Sequence, residues 1–447
     1  MKATRTLKIR FLALLFSFVL GAMQLIALPV SAADEVMPVR AYAVYAVHGG
    51  EILASKNAGE LIPPASTAKI MSGLLFCEAF LGKGDDSLNN EKLQRKITVT
   101  SEMLRGVSGR KLGLAAGDVL TLEALLYAAI GGGFNDATYV LACTVSGSVS
   151  AFTDKMNSRA ASLGADSTHF ANPTGLDDAS AVTTVNDLVK IALAASEFRA
   201  FMKISSFYTY KVSFGDGSSV TLENRNKLHF PNADSNRWYS KNALGMSVGM
   251  TDAGGNCAVT LVDHGGAEFI RIVMGEPEED SAYEKLSDLS AWAGNNYDLA
   301  TLRRAGERLT SLPVSLSDTY TEVDIVLGED VTLTVPRGAA LDGTYTYELR
   351  LDTDSLKASF EKGKTVGRLE VIKDGRVVAS APAVTAMGVE ANGFLSMMDA
   401  MREFFTSPLF FIILGVIALG AAVFFLVIRR RGRGHSRRRS SYRRRYY

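Results

Sequence analysis

The chain has 447 residues, of which 47% are hydrophobic, 21% charged and 9% aromatic, and this excludes a disordered or collagen-like protein. Three cysteines and five histidines, without an H-E-x-x-H pattern, exclude a disulfide framework and a zinc hydrolase of that type, so we predict neither a metal nor a cofactor. The net charge of +1 hides an asymmetry: outside the basic termini (1–32 and 429–447) the chain carries 34 basic and 47 acidic residues. This acidic body argues against nucleic acid as a partner.

The N-terminus predicts a secretory signal peptide over residues 1–32. Four basic residues precede an apolar stretch at 11–28, and small residues follow Pro29 up to the predicted cleavage point. The alternative is an uncleaved anchor helix, because this apolar stretch is long for a signal peptide. Pro29 and the Val-x-Ala site favour cleavage. With either reading, the body of the protein is exported.

Residues 39–300 alternate between strand and helix patterns. A hairpin pattern occupies 39–55, with Gly49-Gly50 at the turn. Helical spacing of apolar residues recurs at 67–80, 120–129, 136–145, 151–163 and 185–195, and strand patterns return at 207–214, 257–262 and 269–274. The acidic residues 278–280 are predicted to lie in a solvated loop. Strands at both ends with helices between them predict a sheet backed by a helical cluster.

The C-terminal part predicts a second, all-β module at 304–390, because short alternating apolar runs are separated by turn sequences there. A helical pattern at 391–407 leads into 21 uncharged residues at 408–428, which is long enough to cross a bilayer. Ten arginines follow in the tail, 429–447. Basic flanks favour the cytoplasmic side, and this explains the tail better than a nucleic-acid-binding arm. We therefore predict an exported ectodomain tethered by one C-terminal membrane helix.

A candidate for catalysis lies at residues 63–69 (PPASTAK), where an apolar helix pattern begins. Ser66 and Lys69 are three positions apart and share one face of a helix. A lysine in a partly dry pocket beside other cations can lose its proton near neutral pH and serve as the base for the hydroxyl. The spacing alone is not specific, because it recurs at 108–111 and 359–362. On spacing alone, a capping serine and a solvated lysine remain the alternative.

Longer stretches resemble the D-alanyl-D-alanine carboxypeptidases of peptidase family S11, a family of penicillin-binding proteins. The stretches that carry the resemblance are 63–69, 135–137 (NDA), 156–164 (MNSRAASLG), 168–176 (THFANPTGL), 183–188 (TTVNDL), 224–228 (NRNKL) and 239–251. The resemblance covers about residues 35–300, and the β module is similar to the C-terminal domain of that family. It implies an α/β fold of the penicillin-binding and β-lactamase-like type at 33–303, with a five-stranded antiparallel sheet and a helical cluster, followed by a small all-β domain.

The resemblance also implies the roles of individual residues. The hydroxyl of Ser66 attacks the penultimate carbonyl of a peptidoglycan stem peptide, Lys69 accepts the proton, and water later releases the acyl-enzyme. The backbone N–H groups of Ser66 and Met250 would form the oxyanion hole, and β-lactams would acylate the same serine. The implied catalytic residues are Ser66, Lys69 and Asn135, and the implied substrate-binding residues are Ser247, Gly249, Met250 and Thr251.

Two motifs depart from the family pattern. Gly133 stands where the family has the serine of Ser-x-Asn, so the hydroxyl that relays a proton to the leaving group is missing. Ser247-Val248 stands in place of the lysine and threonine of Lys-Thr-Gly, which contact the substrate carboxylate. A lost hydrogen bond to a charged group costs about 1.5–3 kcal/mol, and a lost proton relay costs on the order of 100-fold in rate. Lys241 would replace the missing cation only if the strand folds back, so a solvated lysine is favoured.

The sequence therefore predicts a membrane-anchored, serine-type D-Ala-D-Ala carboxypeptidase, with activity reduced by Gly133 and Ser247. The alternative is a weakened relative that binds stem peptides or partner proteins as a wall-associated scaffold. A β-lactamase would share the Ser-x-x-Lys chemistry, but the S11-like stretches and the β module argue against it.

Overall fold

The computed structural model describes residues 39–82, 91–231, 236–341 and 345–438. The predicted signal peptide and residues 439–447 of the arginine-rich tail lie outside the described residues. The chain divides into two compact units. The first runs to Ala300 and includes Thr332–Ala340, and the second comprises Thr301–Val331 and the chain from Leu341 onward.

A five-stranded antiparallel sheet forms the middle of the first unit. The strands up to residue 276 are β1 (Ala41–Ala46), β2 (Glu51–Lys56), β3 (Lys96–Thr98), β4 (Val119–Thr121), β5 (Thr209–Ser213), β6 (Ser219–Glu223), β7 (Ala243–Thr251), β8 (Gly255–His264) and β9 (Ala267–Glu276). The order in the sheet is β2-β1-β9-β8-β7. This confirms the predicted sheet and makes β7 an edge strand.

Helices cover one face of this sheet and a single helix covers the other. The first group is α1 (Ala68–Phe80), α2 (Leu122–Ala129), α3 (Asn135–Ser146), α4 (Val149–Ser162), α5 (Val185–Ser196) and α6 (Arg199–Ser205). On β9, Ile270 and Ile272 contact this group, whereas Phe269 and Val273 contact α7 (Glu279–Asn296) on the opposite face. Alternate residues of β9 therefore enter two separate cores.

Local sequence explains where several helices begin. The side chains of Thr121, Ser148 and Thr184 each accept a hydrogen bond from the N–H three residues on, and so cap α2, α4 and α5. The predicted solvated loop at 278–280 is wrong, because Glu279 starts α7 and lies 2.7 Å from Lys227. Acidic residues in the first turn of a helix also interact favourably with its dipole.

The second unit is built mainly of strands, which confirms the predicted all-β module. The strands after α7 are β10 (Tyr297–Arg303), β11 (Arg308–Ser315), β12 (Glu322–Leu327), β13 (Val331–Pro336), β14 (Thr346–Leu351), β15 (Leu356–Lys357), β16 (Thr365–Lys373) and β17 (Arg376–Thr385). A six-stranded sheet has the order β14-β16-β17-β12-β11-β15. The alternating apolar runs at 323–327, 331–335, 345–351 and 369–372 correspond to β12, β13, β14 and β16, whereas β10, β11, β15 and β17 were not predicted.

Two helices end the described chain. In α8 (Gly393–Thr406), the polar side chains Asp399 and Glu403 form ion pairs with Lys357, at 2.6 and 2.9 Å. The next helix, α9, spans Pro408–Arg438 and so continues beyond the predicted end of the membrane segment at residue 428. Within the described residues, its stretch Pro408–Leu426 is the one helix long and apolar enough to cross a membrane.

Candidate active site

An open pocket of about 250 Å³ lies in the first unit, beside the start of α1 and the strand β7. Six of the seven residues predicted for the site line it: Ser66, Lys69, Asn135, Ser247, Met250 and Thr251. The seventh, Gly249, lies against the side chain of Ser66. Residues that are up to 185 positions apart in sequence therefore surround one cavity. In the part of the chain that the structure describes, no group of three His, Cys, Asp or Glu side chains could hold a metal ion.

Ser66 lies in a tight turn, Ala65–Thr67, immediately before α1. Ala65 has a φ of +47°, in the left-handed region, which costs a non-glycine residue about 1–2 kcal/mol. The surrounding structure holds this turn, because Gly175 approaches it so closely that a Cβ atom there would lie 1.7 Å from the carbonyl oxygen of Ala65. The turn thereby presents the hydroxyl of Ser66 to the pocket.

Lys69 is buried in the first turn of α1, next to Ser66. Its Nζ lies 3.5 Å from Ser66 Oγ and donates a hydrogen bond to the carbonyl oxygen of Thr174 at 2.9 Å. Burial lowers the pKa of Lys69 to about 7, and the charges of Arg225 and Arg110 contribute to this shift. A large fraction of the amine is therefore uncharged at neutral pH and able to accept a proton.

The side chain of Asn172 fixes the loop that holds Lys69. Its Oδ1 accepts hydrogen bonds from the N–H groups of Thr174, Gly175 and Leu176 and from the hydroxyl of Thr174, at 2.8–3.1 Å. Its Nδ2 donates to the carbonyl oxygen of Leu176 at 2.9 Å. This network positions the carbonyl group of Thr174 beside Lys69. The sequence of this stretch carries the family resemblance but does not by itself indicate a role for Asn172.

Asn135 is the first residue of α3 and is 4% exposed. Its Nδ2 donates to the carbonyl oxygen of Ser108 at 2.8 Å. Its Oδ1 has no hydrogen-bond partner among the described residues. A buried polar atom without a partner is costly, so this oxygen is an available acceptor for an N–H group of a ligand in the pocket.

The edge strand β7 closes the other side of the pocket. The hydroxyl of Ser247 donates to the backbone oxygen of Ser66 at 3.0 Å, so this side chain supports the turn at Ser66. A Cβ atom at Gly249 would lie 2.4 Å from Ser66 Oγ, and a side chain at this position would collide with the hydroxyl. Met250 also lines the pocket and is 52% exposed.

Two arginines that the sequence analysis did not assign also line the pocket, Arg110 and Arg225. Arg225 lies next to Gly133, whose φ is +69° and where a Cβ atom would lie 3.6 Å from the stem of Arg225. Lys241, considered as a replacement cation, is exposed and lies outside the pocket lining. Arg225 belongs to the stretch 224–228 that carries the family resemblance, whereas no sequence signal indicated Arg110.

Both parts of the chain are similar to known proteins. A family model described as "D-alanyl-D-alanine carboxypeptidase" (Peptidase_S11) matches residues 30–278, and a model of the penicillin-binding protein 5 C-terminal domain matches 297–391. The chain is 25% identical to the D-alanyl-D-alanine carboxypeptidase DacF of Bacillus subtilis, covering 78% of this chain and 85% of that one. It is 28% identical to DacC of Escherichia coli, covering 79% and 85%.

Solved structures show the same fold. The structure of PBP3 from Streptococcus pneumoniae, described as a peptidoglycan synthesis regulatory factor, matches with a TM-score of 0.64 at 19% identity, over 79% of this chain and 99% of that one. Penicillin-binding protein 5 from Haemophilus influenzae matches with a TM-score of 0.57 at 23% identity, over 79% and 97%. At these identities the matches establish the architecture of the chain, a penicillin-binding domain followed by an all-β domain.

Proposed function

The chain belongs to the D-alanyl-D-alanine carboxypeptidase family S11, and we propose that it removes the terminal D-alanine from peptidoglycan stem peptides through an acyl-enzyme on Ser66. The observation that carries this proposal is the contact between Ser66 and Lys69. The amine lies 3.5 Å from the hydroxyl, and its pKa is near 7. A serine next to a buried, partly uncharged lysine is an activated nucleophile.

The reaction has two steps in this proposal. Ser66 Oγ attacks the carbonyl between the two D-alanines while Lys69 accepts its proton, and backbone N–H groups of Ser66 and Met250 stabilise the oxyanion. The protonated Lys69 then supplies the proton for the departing amine. Water then attacks the ester carbonyl while Lys69 accepts its proton. The bond between the acyl carbon and Ser66 Oγ breaks, and the proton passes from Lys69 to Oγ, which releases the shortened peptide and restores the free enzyme. The free Oδ1 of Asn135 would accept an N–H group of the substrate.

The missing hydroxyl at Gly133 predicts a slow reaction. In this proposal no side chain at that position passes the proton from Lys69 to the leaving amine, and such a relay contributes on the order of 100-fold. The alternative role, a wall-associated binding or scaffold protein, is favoured by the same observation, because a pocket without efficient turnover still binds stem peptides.

Two measurements on the full-length protein in detergent test the proposed function. With a fluorescent penicillin, we expect one covalent label per chain. With a pentapeptide that ends in D-Ala-D-Ala, we expect slow release of free D-alanine. Labelling without any release of D-alanine would favour the scaffold role. Neither labelling nor release would contradict both the enzyme and the penicillin-binding assignment.

The pH dependence of acylation tests the role of Lys69 as the base. Because the uncharged amine is the active form and its pKa is about 7, the rate of acylation should rise about tenfold per pH unit below pH 7 and level off above it. The rate of covalent labelling by a penicillin, measured from quenched time points between pH 5 and 9, gives this profile. A rate that does not change over this range would contradict the assignment of Lys69.

We also propose an exported ectodomain whose C-terminal helix α9 anchors it in the cell membrane, with the basic tail on the cytoplasmic side. The apolar stretch Pro408–Leu426 supports the anchor, and the ten arginines that follow support the orientation. Protease added outside spheroplasts should digest the ectodomain and spare a tag placed after Tyr447. Loss of that tag would overturn the orientation.

A further inference from the structure

The pocket carries an unbalanced positive charge. Its lining includes Arg110, Arg225 and the partly uncharged Lys69, and no acidic side chain belongs to it within the described residues. Burial and the charge of Arg225 lower the pKa of Arg110, and the charge of Glu223 opposes this shift to a smaller extent. A cavity lined by one sign of charge concentrates ligands of the opposite sign. The pocket is therefore built for an anionic ligand.

The two arginines are held by the glycine segment at 131–133. The N–H of Arg225 donates to the carbonyl oxygen of Gly131 at 2.8 Å, and Nε of Arg110 donates to the carbonyl oxygen of Gly132 at 3.1 Å. The guanidinium of Arg110 also stacks over the ring of Phe134, 4.5 Å from its centroid. The glycine segment thus holds the backbone of Arg225 and the side chain of Arg110, and both residues line the pocket.

The terminal N–H groups of the Arg110 guanidinium are available to a ligand. Arg110 forms no ion pair with any described residue, whereas Arg225 Nη2 lies 3.9 Å from Glu279 Oε1. With Nε bound to Gly132, the terminal N–H groups of Arg110 can still form the paired hydrogen bonds that a guanidinium makes to a carboxylate. The strand β7 offers no such group, because Ser247 carries no charge and its hydroxyl is bound to Ser66.

We propose that Arg110 is a specificity-determining residue that binds, beside Arg225, the carboxylate of the acyl donor's leaving group. It would take over the function that a lysine has in the family at the position of Ser247. The inference rests on the proposed function, and it assigns the substrate as an acyl donor with a free terminal carboxylate. Arg225 lies beside Gly133, the position that lacks the family's relay hydroxyl, so both departures from the family pattern meet at this part of the pocket.

Benzylpenicillin and its methyl ester test this inference, because they differ in one negative charge and share the reactive ring. Acylation of the full-length protein in detergent is followed by intact-mass spectrometry. For the wild type, we expect the acid to react faster than the ester. Arg110→Gln should reduce the acid-over-ester ratio roughly 10- to 100-fold. The ratio is insensitive to a changed pKa of Lys69, which affects both compounds equally.

Control variants show whether a lost preference for the acid over the ester is specific to Arg110. Arg105→Gln removes an exposed arginine of the same loop, paired with Glu102 outside the pocket, and should keep the wild-type ratio. Arg110→Lys should retain part of the preference for the acid, and a thermal melt checks that each variant is folded. An unchanged ratio in Arg110→Gln would overturn the inference and leave the proposed function intact. A wild type that reacts with neither compound would overturn the proposed function, and the inference with it.

Discussion

Replacement of Ser66 by alanine is expected to abolish covalent labelling by penicillin and release of D-alanine. In the proposed mechanism, its hydroxyl is the only atom that forms the acyl-enzyme, so no residual reaction at this site remains. Intact-mass spectrometry of Ser66→Ala should show no adduct under conditions that fully label the wild type. Ser359→Ala is the matched control, because Ser359 has the same spacing to a lysine but lies in the all-β unit. That variant should label like the wild type.

Lys69 variants extend this test to the base. Lys69→Ala should reduce acylation by on the order of 10²- to 10⁴-fold, since general base catalysis contributes about that much. Lys69→Met fills a similar volume without an amine, so it separates the loss of the base from the effect of a cavity beside Thr174. Equal losses in both variants would support the role as a base. A label that persists in Ser66→Ala would instead show that another residue is the nucleophile.

Local patterns in the sequence predicted most elements of the first unit. The helical spacing of apolar residues indicated α1 to α5, because these helices pack into one apolar core. It missed the short helix α6, and it missed α7 because the acidic residues 278–280 favour a solvated loop. The apolar residues Tyr283, Leu286 and Leu289 are nevertheless at helical spacing, and they pack against the far side of the sheet.

The candidate site was only partly predictable, because its contacts join residues that are far apart in the sequence. A lowered pKa of Lys69 requires nearby cations, but the sequence alone does not identify them. Arg110 and Arg225 are more than 40 and 150 positions away from Lys69, and the glycine segment at 131–133 holds both. Likewise, the carbonyl of Thr174 beside Lys69 depends on the bonds of Asn172. Such contacts arise from the fold, and they decide the chemistry of the lysine.

Replacement of Gly249 by alanine is expected to reduce acylation at least 100-fold. The added Cβ would lie 2.4 Å from both Cβ and Oγ of Ser66, so β7 or the turn at Ser66 must shift. A misplacement of about 1 Å in a reacting group can cost on the order of 100-fold in rate. The expected loss of stability is smaller, about 1–3 kcal/mol for one extra methyl group in a close contact. The rate of labelling by penicillin and a thermal melt measure the two effects separately.

The control for this variant is Gly59→Ala. Gly59 also has an ordinary backbone conformation, and a Cβ atom there would have no neighbour within 4 Å. Its acylation rate should stay within about threefold of the wild type, because surface substitutions without lost contacts are close to neutral. If Gly249→Ala labels as fast as Gly59→Ala, the turn at Ser66 can move away from β7 without loss of reactivity. The proposal that β7 and this turn jointly position the nucleophile would then be wrong. The missing side chain of Gly249 would only allow β7 and the turn to pack closely.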